Sequence, residues 1–283
     1  MKTYVSTSCL GFGKKASDIV KIYQDNGIKN IELGASHVYE EGIEDYIKQL
    51  DANFIIHGFF PPSKEYFVMN LASIDKRILR LSLEQVKRMI DLAVKLKAPL
   101  CSFHSGFRVN SEHLGKKFEA KDIVPYDKAF DIFIESIKEI LKYTEGKNVK
   151  IAVELNVLNE FNIINSKNEL LLMCEYWEIE ELFKRINSDN LGILLDLGHL
   201  KVTSNWLNFD KDDFVEKVAE KVFEIHLHDN DSKFDSHLNV NKNSWAIDVL
   251  KRFNFKDIPI TLEPNNLDIK EIKKTYESSL VTA

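Results

Sequence analysis

The sequence predicts a single (β/α)8 TIM barrel, with residues 1–283 forming one domain. Eight short β-branched or apolar runs recur along the chain, and segments of helical periodicity lie between them. This alternation is typical of parallel βα units. A length of 283 residues is usual for such a barrel, and the chain contains no linker or low-complexity segment. An unbroken eightfold alternation favours a closed barrel over an open sheet.

The individual strands and helices follow from the local pattern of apolar residues. The eight predicted strands cover residues 4–7, 30–33, 54–57, 100–104, 150–154, 191–196, 222–227 and 259–263. The clearest helical patterns cover residues 82–97, 126–142, 179–186, 214–221 and 245–253. In the first of these helices Leu83, Val86 and Ile90 recur at helical spacing. Ser82 is expected to cap this helix, because a serine side chain can accept a hydrogen bond from a first-turn N–H group.

Charge and composition argue against two classes of partner. The chain has 38 basic and 44 acidic residues and no lysine or arginine block, which argues against nucleic acid. It contains neither an N-terminal apolar stretch of signal-peptide length nor the roughly 18 apolar residues of a membrane span. Cys9, Cys101 and Cys174 form no CxxC pair and are expected to be reduced, near-core thiols. We therefore expect a cytoplasmic protein without a membrane partner, and the sequence leaves a homo-oligomer open.

Long connections follow several of the predicted strands. They cover residues 58–81, 105–124, 155–176 and 228–243. All of them come after strands, which places them on the face of a barrel where enzymes of this architecture build active sites. The segment 156–176 is rich in apolar residues and is expected to form a packed lid over that face.

Ionisable side chains recur at or just after the ends of the predicted strands. They are His57, His104, Glu154, Asp196, His199, His226, Asp235, His237 and Glu263. A barrel brings its strand ends into one ring, so these carboxylates and imidazoles would repel one another or stay unpaired without a compensating cation. Mixed carboxylate and histidine ligands suit Mn²⁺, Zn²⁺, Co²⁺ or Mg²⁺. The sequence therefore predicts a divalent metal centre at the C-terminal ends of the strands.

Two short motifs carry more information than single residues. In the segment from Asp196 to His199, Gly198 is expected to let the chain turn sharply and return His199 beside Asp196. Asp235 and His237, two residues apart, would lie on the same side of an extended loop segment.

The histidine pair on the seventh predicted strand is ambiguous. Alternation along a strand makes His226 and His228 face the same way, with Asp229 opposed. We favour His226 as the ligand and His228 as an outer or structural histidine.

Taken together, these motifs resemble the xylose-isomerase-like TIM-barrel superfamily, which contains sugar isomerases and epimerases, inosose dehydratases and endonuclease IV. The resemblance covers nearly the whole chain. The residues that carry it are Ile31-Glu32-Leu33, His57, Phe103-His104-Ser105-Gly106, Val153-Glu154-Leu155-Asn156, Leu195-Asp196-Leu197-Gly198-His199, His226 to Asn230, Asp235-Ser236-His237 and Thr261-Leu262-Glu263-Pro264.

The resemblance to ketose epimerases implies a single-metal site. The metal ligands it implies are Glu154, Asp196, His226 and Glu263. Glu154 and Glu263 would also be the catalytic acid/base pair, with His199 orienting substrate hydroxyls. Glu32 would face the substrate pocket, and Lys233 stands where such epimerases usually place a substrate-binding arginine.

The resemblance to endonuclease IV implies a three-metal site on all nine strand-end residues, which would cleave a phosphodiester at abasic DNA sites. The segment that follows the first strand and the apolar loop after Glu154 depart from that branch, while the residues after His237 depart both from it and from several sugar-enzyme branches. We therefore expect a metal-dependent sugar or sugar-phosphate isomerase or epimerase with one to three divalent ions per chain. The endonuclease IV-like phosphodiesterase is the alternative.

Overall fold

The computed structural model describes residues 2–278, so Met1 and residues 279–283 of the predicted domain lie outside the described residues. The strands are β1 (Lys2–Ser6), β2 (Asn30–Leu33), β3 (Asn53–His57), β4 (Leu100–His104), β5 (Lys150–Glu154), β6 (Ile163–Ile164), β7 (Lys167–Asn168), β8 (Leu191–Asp196), β9 (Val222–Leu227) and β10 (Pro259–Leu262). All but β6 and β7 close into one parallel barrel in the order β1-β10-β9-β8-β5-β4-β3-β2. The predicted (β/α)8 fold is confirmed.

Helices connect the barrel strands. They are α1 (Ala16–Asp25), α2 (Ile43–Lys48), α3 (Lys76–Leu96), α4 (Tyr126–Thr144), α5 (Tyr176–Arg185), α6 (Leu197–Leu207), α7 (Lys211–Val218), α8 (Trp245–Arg252) and α9 (Ile269–Tyr276). The sequence patterns located α3, α4, α5, α7 and α8 but not the other four. No helix among residues 2–278 combines the length and apolarity needed to cross a membrane.

Helix α3 begins six residues before its predicted start, so the prediction of Ser82 as its cap was wrong. The cap is Asp75, whose Oδ1 accepts hydrogen bonds from the backbone N–H groups of Arg77 and Ile78. Ser82 is buried inside the helix and donates to the carbonyl of Ile78 at 2.8 Å. A serine that bonds the preceding turn fits a helix interior, which a local cap rule cannot recognise.

The chain passes directly from β8 into α6 at Asp196 and brings His199 beside that residue, as the sequence predicted. Gly198 lies in the first turn of this helix without a positive φ, so the turn itself does not need a glycine. Asp196 is the N-cap of this helix, and its Oδ1 accepts a hydrogen bond from the backbone N–H of His199 at 2.7 Å. A Cβ atom at position 198 would lie 2.0 Å from the ring of His228. The glycine is therefore required for the close approach of that histidine to α6.

Parallel pairing sets the level of the strand-end side chains. His104 of β4 is level with Glu154 of β5, and Asp196 of β8 is level with His226 of β9. The side chains of neighbouring strand ends are thereby brought to one height in the barrel, as the sequence predicted.

The loops after β3, β4 and β5 share an apolar cluster of their own, separate from the main core between barrel and helices. Its buried members are Val68, Phe107, Val109, Phe118, Leu158, Leu170, Leu171 and Cys174. Phe107 and Leu171 also form an antiparallel bridge. This cluster confirms that the loop after β5 is packed, and it fixes the wall of the cavity described below.

Candidate metal centre

Six of the chain's eight histidines converge with carboxylates at the C-terminal ends of the strands. The histidines are His57, His104, His199, His226, His228 and His237. All nine residues that the sequence predicted as ligands belong to this centre. Most of these side chains are nearly or completely buried. Such a density of ionisable groups in a buried place requires protons or cations to balance it.

His226 lies at the middle of the centre. Its Nδ1 atom lies 3.0 Å from Glu263, 3.7 Å from Asp196 and 4.0 Å from Glu154. Its other ring nitrogen, Nε2, lies 2.8 Å from a carboxylate oxygen of Glu32, and both residues are fully buried. Glu32 thereby fixes the orientation of the ring, so that Nδ1 faces the other three carboxylates.

Glu154 faces three histidines. One of its oxygens lies 2.8 Å from His104 Nδ1 and 3.4 Å from His57 Nε2, and the other lies 3.3 Å from His199 Nδ1. Burial acts to raise the pKa of Glu154, but the facing imidazoles outweigh it and hold the pKa at about 2. The carboxylate is therefore ionised at neutral pH.

Asp235 and His237 form a second part of the centre. Asp235 Oδ2 lies 3.3 Å from His199 Nε2 and 3.1 Å from His237 Nε2. Burial lowers the pKa of His237, but Asp235 more than offsets it and raises the pKa to about 9. The ring of His237 also stacks on His228 with their centroids 3.8 Å apart. His228 Nε2 in turn lies 3.0 Å from Asp196.

The unsatisfied atoms of this centre test whether the residues fit a cation. Glu154 Oε2, His226 Nδ1 and Asp235 Oδ1 are buried and form no hydrogen bond of acceptable geometry with any of residues 2–278. When Nε2 of His226 carries the proton, Nδ1 presents a lone pair toward carboxylate oxygens, and this is unfavourable without a cation between them. The donor set of carboxylate oxygens and imidazole nitrogens is the one that borderline and hard divalent ions take. The residues therefore fit a divalent metal ion.

More than one group of side chains is close enough to hold an ion. Each group brings its ligand atoms within 4.8 Å of one another. The groups are His199/His228/Asp235/His237, Glu32/His57/His226, His57/His104/Glu154, Glu154/Asp196/His199 and Asp196/His228/Glu263. Because these groups share residues, the centre is one continuous cluster of candidate ligands.

Two residues expected to bind substrate lie away from the substrate space. Glu32 is fully buried behind His226 and does not line the cavity, because β2 points it into the barrel interior. Lys233 is exposed and outside the cavity wall, where its carbonyl accepts a hydrogen bond from Trp206 Nε1. These positions do not fit the direct contacts that the sequence suggested. His199, by contrast, lines the cavity.

Sequence reasoning missed Glu224, a fully buried carboxyl on β9. It lies 3.8 Å from His226 Nε2 and accepts a hydrogen bond from Thr261 Oγ1. Burial, together with the charge of Glu32, holds the pKa of Glu224 well above its usual value. The signal was present in the sequence, since strand alternation places residue 224 on the same side as residue 226.

A cavity of about 810 Å³ opens above the centre. Seven of the nine predicted ligands line it, whereas Asp196 and His226 lie buried behind its floor. Ser36 and Asn265 belong to the same wall, and their buried Oγ and Oδ1 atoms have no hydrogen-bond partner among residues 2–278.

Comparisons with known proteins agree with this architecture. The chain is 28% identical over 257 residues to the uncharacterized protein MJ1614 of Methanocaldococcus jannaschii, covering 89% of this chain and 87% of that protein. It is 23% identical to the probable endonuclease 4 of Metamycoplasma arthritidis, covering 86% and 81% of the two chains.

Among solved structures, the fold is similar to that of a D-tagatose 3-epimerase-like protein, with a TM-score of 0.74 and 21% identity. That alignment covers 98% of this chain and 95% of the other, and it shows the shared barrel. Over residues 20–280 the sequence also matches the family described as "Xylose isomerase-like TIM barrel". Since this match spans most of the barrel, the chain belongs to the xylose isomerase-like TIM barrel family.

Proposed function

We propose that this protein is a metal-dependent sugar isomerase or epimerase. The observation that carries the proposal is the position of His226 Nδ1, which faces Glu154, Asp196 and Glu263 within 4.0 Å. These are the four residues that the sequence assigned to a single-metal site. Glu154 and Glu263 also line the cavity, so they can reach a bound substrate as well as a metal.

Glu154 and Glu263 are the proposed proton carriers. The facing imidazoles hold the pKa of both carboxyls below the usual value against the opposing effect of burial, so each can act as a base. One carboxylate takes the proton from the carbon beside the substrate carbonyl. In isomerisation it returns that proton to the neighbouring carbon. In epimerisation the second carboxyl takes a proton from water and delivers it to the opposite face of the same carbon, and the first carboxyl then releases its proton to water. A bound divalent cation would supply Lewis acidity at the carbonyl and the adjacent hydroxyl.

Other groups of the wall suit the hydroxyls of a sugar. Ser36 and Asn265 each offer an unpaired polar atom, and His199 lies beside Glu154 on the floor. Lys64 is the one lysine or arginine among the described residues that line the cavity. Arg108, which does not line the cavity, forms an ion pair with Glu169 at 3.0 Å. We therefore favour an unphosphorylated sugar over a sugar phosphate.

The proposal is tested by removing each proton carrier without changing its size. We expect Glu154→Gln and Glu263→Gln each to lower turnover on an active ketose by about a hundredfold or more, because a positioned acid or base contributes that much. Exchange of substrate protons in D₂O, followed by NMR over a panel of ketoses, provides the measurement. Glu135→Gln, on the surface of α4, is the matched control. Unchanged turnover and exchange in both site variants would refute the proposal.

The second candidate is a metal-dependent phosphodiesterase that acts at abasic DNA sites. It is favoured by the overlapping ligand groups, which offer places for more than one ion. The net charge of −6 and the presence of only Lys64 as a lysine or arginine among the described residues of the cavity wall count against a site built to bind a DNA backbone.

Two measurements separate the candidates. Elemental analysis that finds about one Mn, Co or Mg per chain supports the sugar reaction, whereas two or three Zn per chain favours phosphodiester cleavage. A gel-shift series with an abasic duplex at low salt provides the second comparison, with an intact duplex as the control. We expect no binding of either duplex.

A further inference from the structure

Exposed apolar side chains are concentrated around the mouth of the cavity. Of eleven large apolar side chains that are exposed in residues 2–278, six line this one cavity. They are Phe12, Val38, Tyr39, Tyr66, Leu114 and Phe234. Phe12 and Tyr66 are the most exposed, at 63% each. Protein surfaces usually scatter such residues singly, so their concentration at one opening marks a binding surface.

These side chains come from separate parts of the chain. The residues of the mouth follow β1, β2, β3, β4 and β9, so five different loops contribute to it. A local run of apolar sequence therefore does not explain the mouth. The barrel brings the loops together, and each presents an apolar group at the same place, as in a pocket shaped for one ligand.

The two ends of the cavity differ in character. Its floor carries the imidazoles and carboxylates of the metal centre, including Glu154 and Glu263, while its mouth carries aromatic and aliphatic groups. The wall residue Lys64 has its Nζ atom 5.3 Å from the ring centroid of Tyr39. A lysine ammonium held over an aromatic ring is attracted to that ring. It also lacks the planar pair of N–H donors with which an arginine binds a phosphate.

The cavity is larger than a free sugar requires. A hexose displaces on the order of six or seven water molecules, or roughly 200 Å³, whereas the cavity measures about 810 Å³. A sugar on the floor therefore leaves the aromatic mouth unfilled. Filling it with an apolar group would remove both ligand and protein surface from water, which is favourable in proportion to the area buried.

We propose that the substrate is a sugar that bears a flat apolar or aromatic substituent. The sugar occupies the floor beside Glu154 and Glu263, and the substituent packs among Phe12, Tyr39 and Tyr66 at the mouth. This inference rests on the proposed function for the identity of the polar end. The inference adds the chemical class of the apolar end of the ligand, which is the end that contacts the mouth and sets specificity.

The test compares two ligands that differ only in the substituent. 6-O-Benzyl-D-fructose and 6-O-methyl-D-fructose, which both keep the ketose carbonyl, are titrated into the Mn²⁺-loaded protein by isothermal calorimetry. We expect the benzyl ether to bind about tenfold more tightly or better, because the additional ring buries apolar surface. Equal affinity, or no measurable binding of the benzyl ether up to its solubility limit, would overturn the proposal.

Variants locate the preference at the mouth. Combining Phe12→Ala with Tyr66→Ala is expected to bring the ratio of the two dissociation constants close to one. Both residues are exposed, so the fold should survive, and a thermal melt checks this. The control is Trp177→Ala on α5, an exposed aromatic outside the cavity wall, which should keep the wild-type ratio. A ratio unchanged by the double variant would show that the mouth does not bind the substituent.

Further measurements distinguish a substituent-binding mouth from a dimer interface and from a phosphate site. Ultracentrifugation detects a second copy of the chain on the mouth, and a dimer that the double variant abolishes would overturn the proposal. Tighter binding of fructose 6-phosphate than of 6-O-benzyl-D-fructose would also overturn it. The preference for the benzyl ether is read from binding alone, so it is independent of the turnover measured for Glu154→Gln. Failure of the proposed reaction is thereby distinguishable from failure of the aromatic mouth.

Discussion

The two ring nitrogens of His226 have different surroundings, and this difference defines the centre at the scale of single residues. Nε2 meets the buried carboxylate of Glu32 at 2.8 Å, while Nδ1 faces the carboxylates of the metal site. A histidine ligand that donates its second N–H to a carboxylate is held in one orientation and becomes a stronger base. Glu32 is therefore expected to act on the metal through His226, as a positioning residue.

Replacing Glu32 with glutamine tests this role. Glu32→Gln keeps an oxygen that can accept from His226 Nε2 but removes the charge, so we expect metal affinity to fall about 10- to 100-fold. Competition with a chelating dye measures the dissociation constant without any assay of activity. His37→Gln is the control, because His37 is a buried histidine that contacts Thr7 instead of the metal centre. An unchanged dissociation constant in Glu32→Gln would remove Glu32 from this role.

At the scale of elements, helix α5 shows how a buried carboxyl sets a helix start. The apolar pattern predicted a beginning at residue 179, but the helix begins at Tyr176. Glu178 Oε2 accepts hydrogen bonds from the backbone N–H groups of Cys174 and Glu175 at 2.7 and 2.9 Å. The other oxygen accepts from the hydroxyl of Tyr126. These bonds satisfy backbone donors that the first turn would otherwise leave unpaired.

Glu178 also makes stability depend on pH. Burial raises its pKa from 4.5 to about 7, against the opposing effect of its backbone hydrogen bonds. The pKa of Glu178 is higher in the folded than in the unfolded protein. The stabilisation that protonated Glu178 gives to the fold is therefore complete below pH 4.5 and is lost as the pH rises to about 7. Over this pH range the free energy of unfolding of the wild type is expected to fall by on the order of 3 kcal/mol more than that of Glu178→Gln.

Urea unfolding of both proteins between about pH 4.5 and pH 8 measures the difference. The amide can keep its oxygen on the backbone donors and donate its N–H to Tyr126, so the variant should fold. Glu180→Gln, at an exposed position of the same helix, is the matched control and should leave the pH dependence as in the wild type. A constant stability difference between wild type and Glu178→Gln over this range would contradict the prediction.

At the scale of the whole molecule, the metal centre joins most of the barrel. Its ligands come from β3, β4, β5, β8 and β9 and from the segments that follow β8, β9 and β10, so an ion would link these parts in the folded state. A ligand that binds only the folded protein stabilises it by mass action. The centre is therefore expected to contribute to the stability of the barrel as well as to its chemistry.

Removing the metal tests this link. At an ion concentration a hundredfold above the dissociation constant, the free energy of unfolding rises by about 2.7 kcal/mol, which corresponds to roughly 5 °C in Tm for a chain of this size. Thermal melts before and after chelation, followed by addition of Mn²⁺ or Zn²⁺, measure the change. Glu154→Gln should reduce the shift, whereas Glu135→Gln should retain it. Identical melting temperatures with and without metal would show that the centre does not hold an ion under these conditions.

The sequence by itself determined the barrel and located the nine strand-end side chains that the structure brings together. Both follow from local patterns, because strand alternation, helical periodicity and an ionisable side chain at or after a strand end are read within a few residues. Barrel closure then brings those strand ends together without further information. The sequence favoured the sugar branch and kept the endonuclease branch as the alternative, since the four ligands implied for the first are among the nine implied for the second.

Only the tertiary structure decided which groups support those ligands and what covers them. Glu32 contacts His226 although the two residues are 194 positions apart in the sequence. Gly198 is needed because His228 packs against it. The aromatic mouth is assembled from five loops, and no single loop carries the pattern. Such contacts depend on packing between distant segments, and local propensity contains no information about the distance between them.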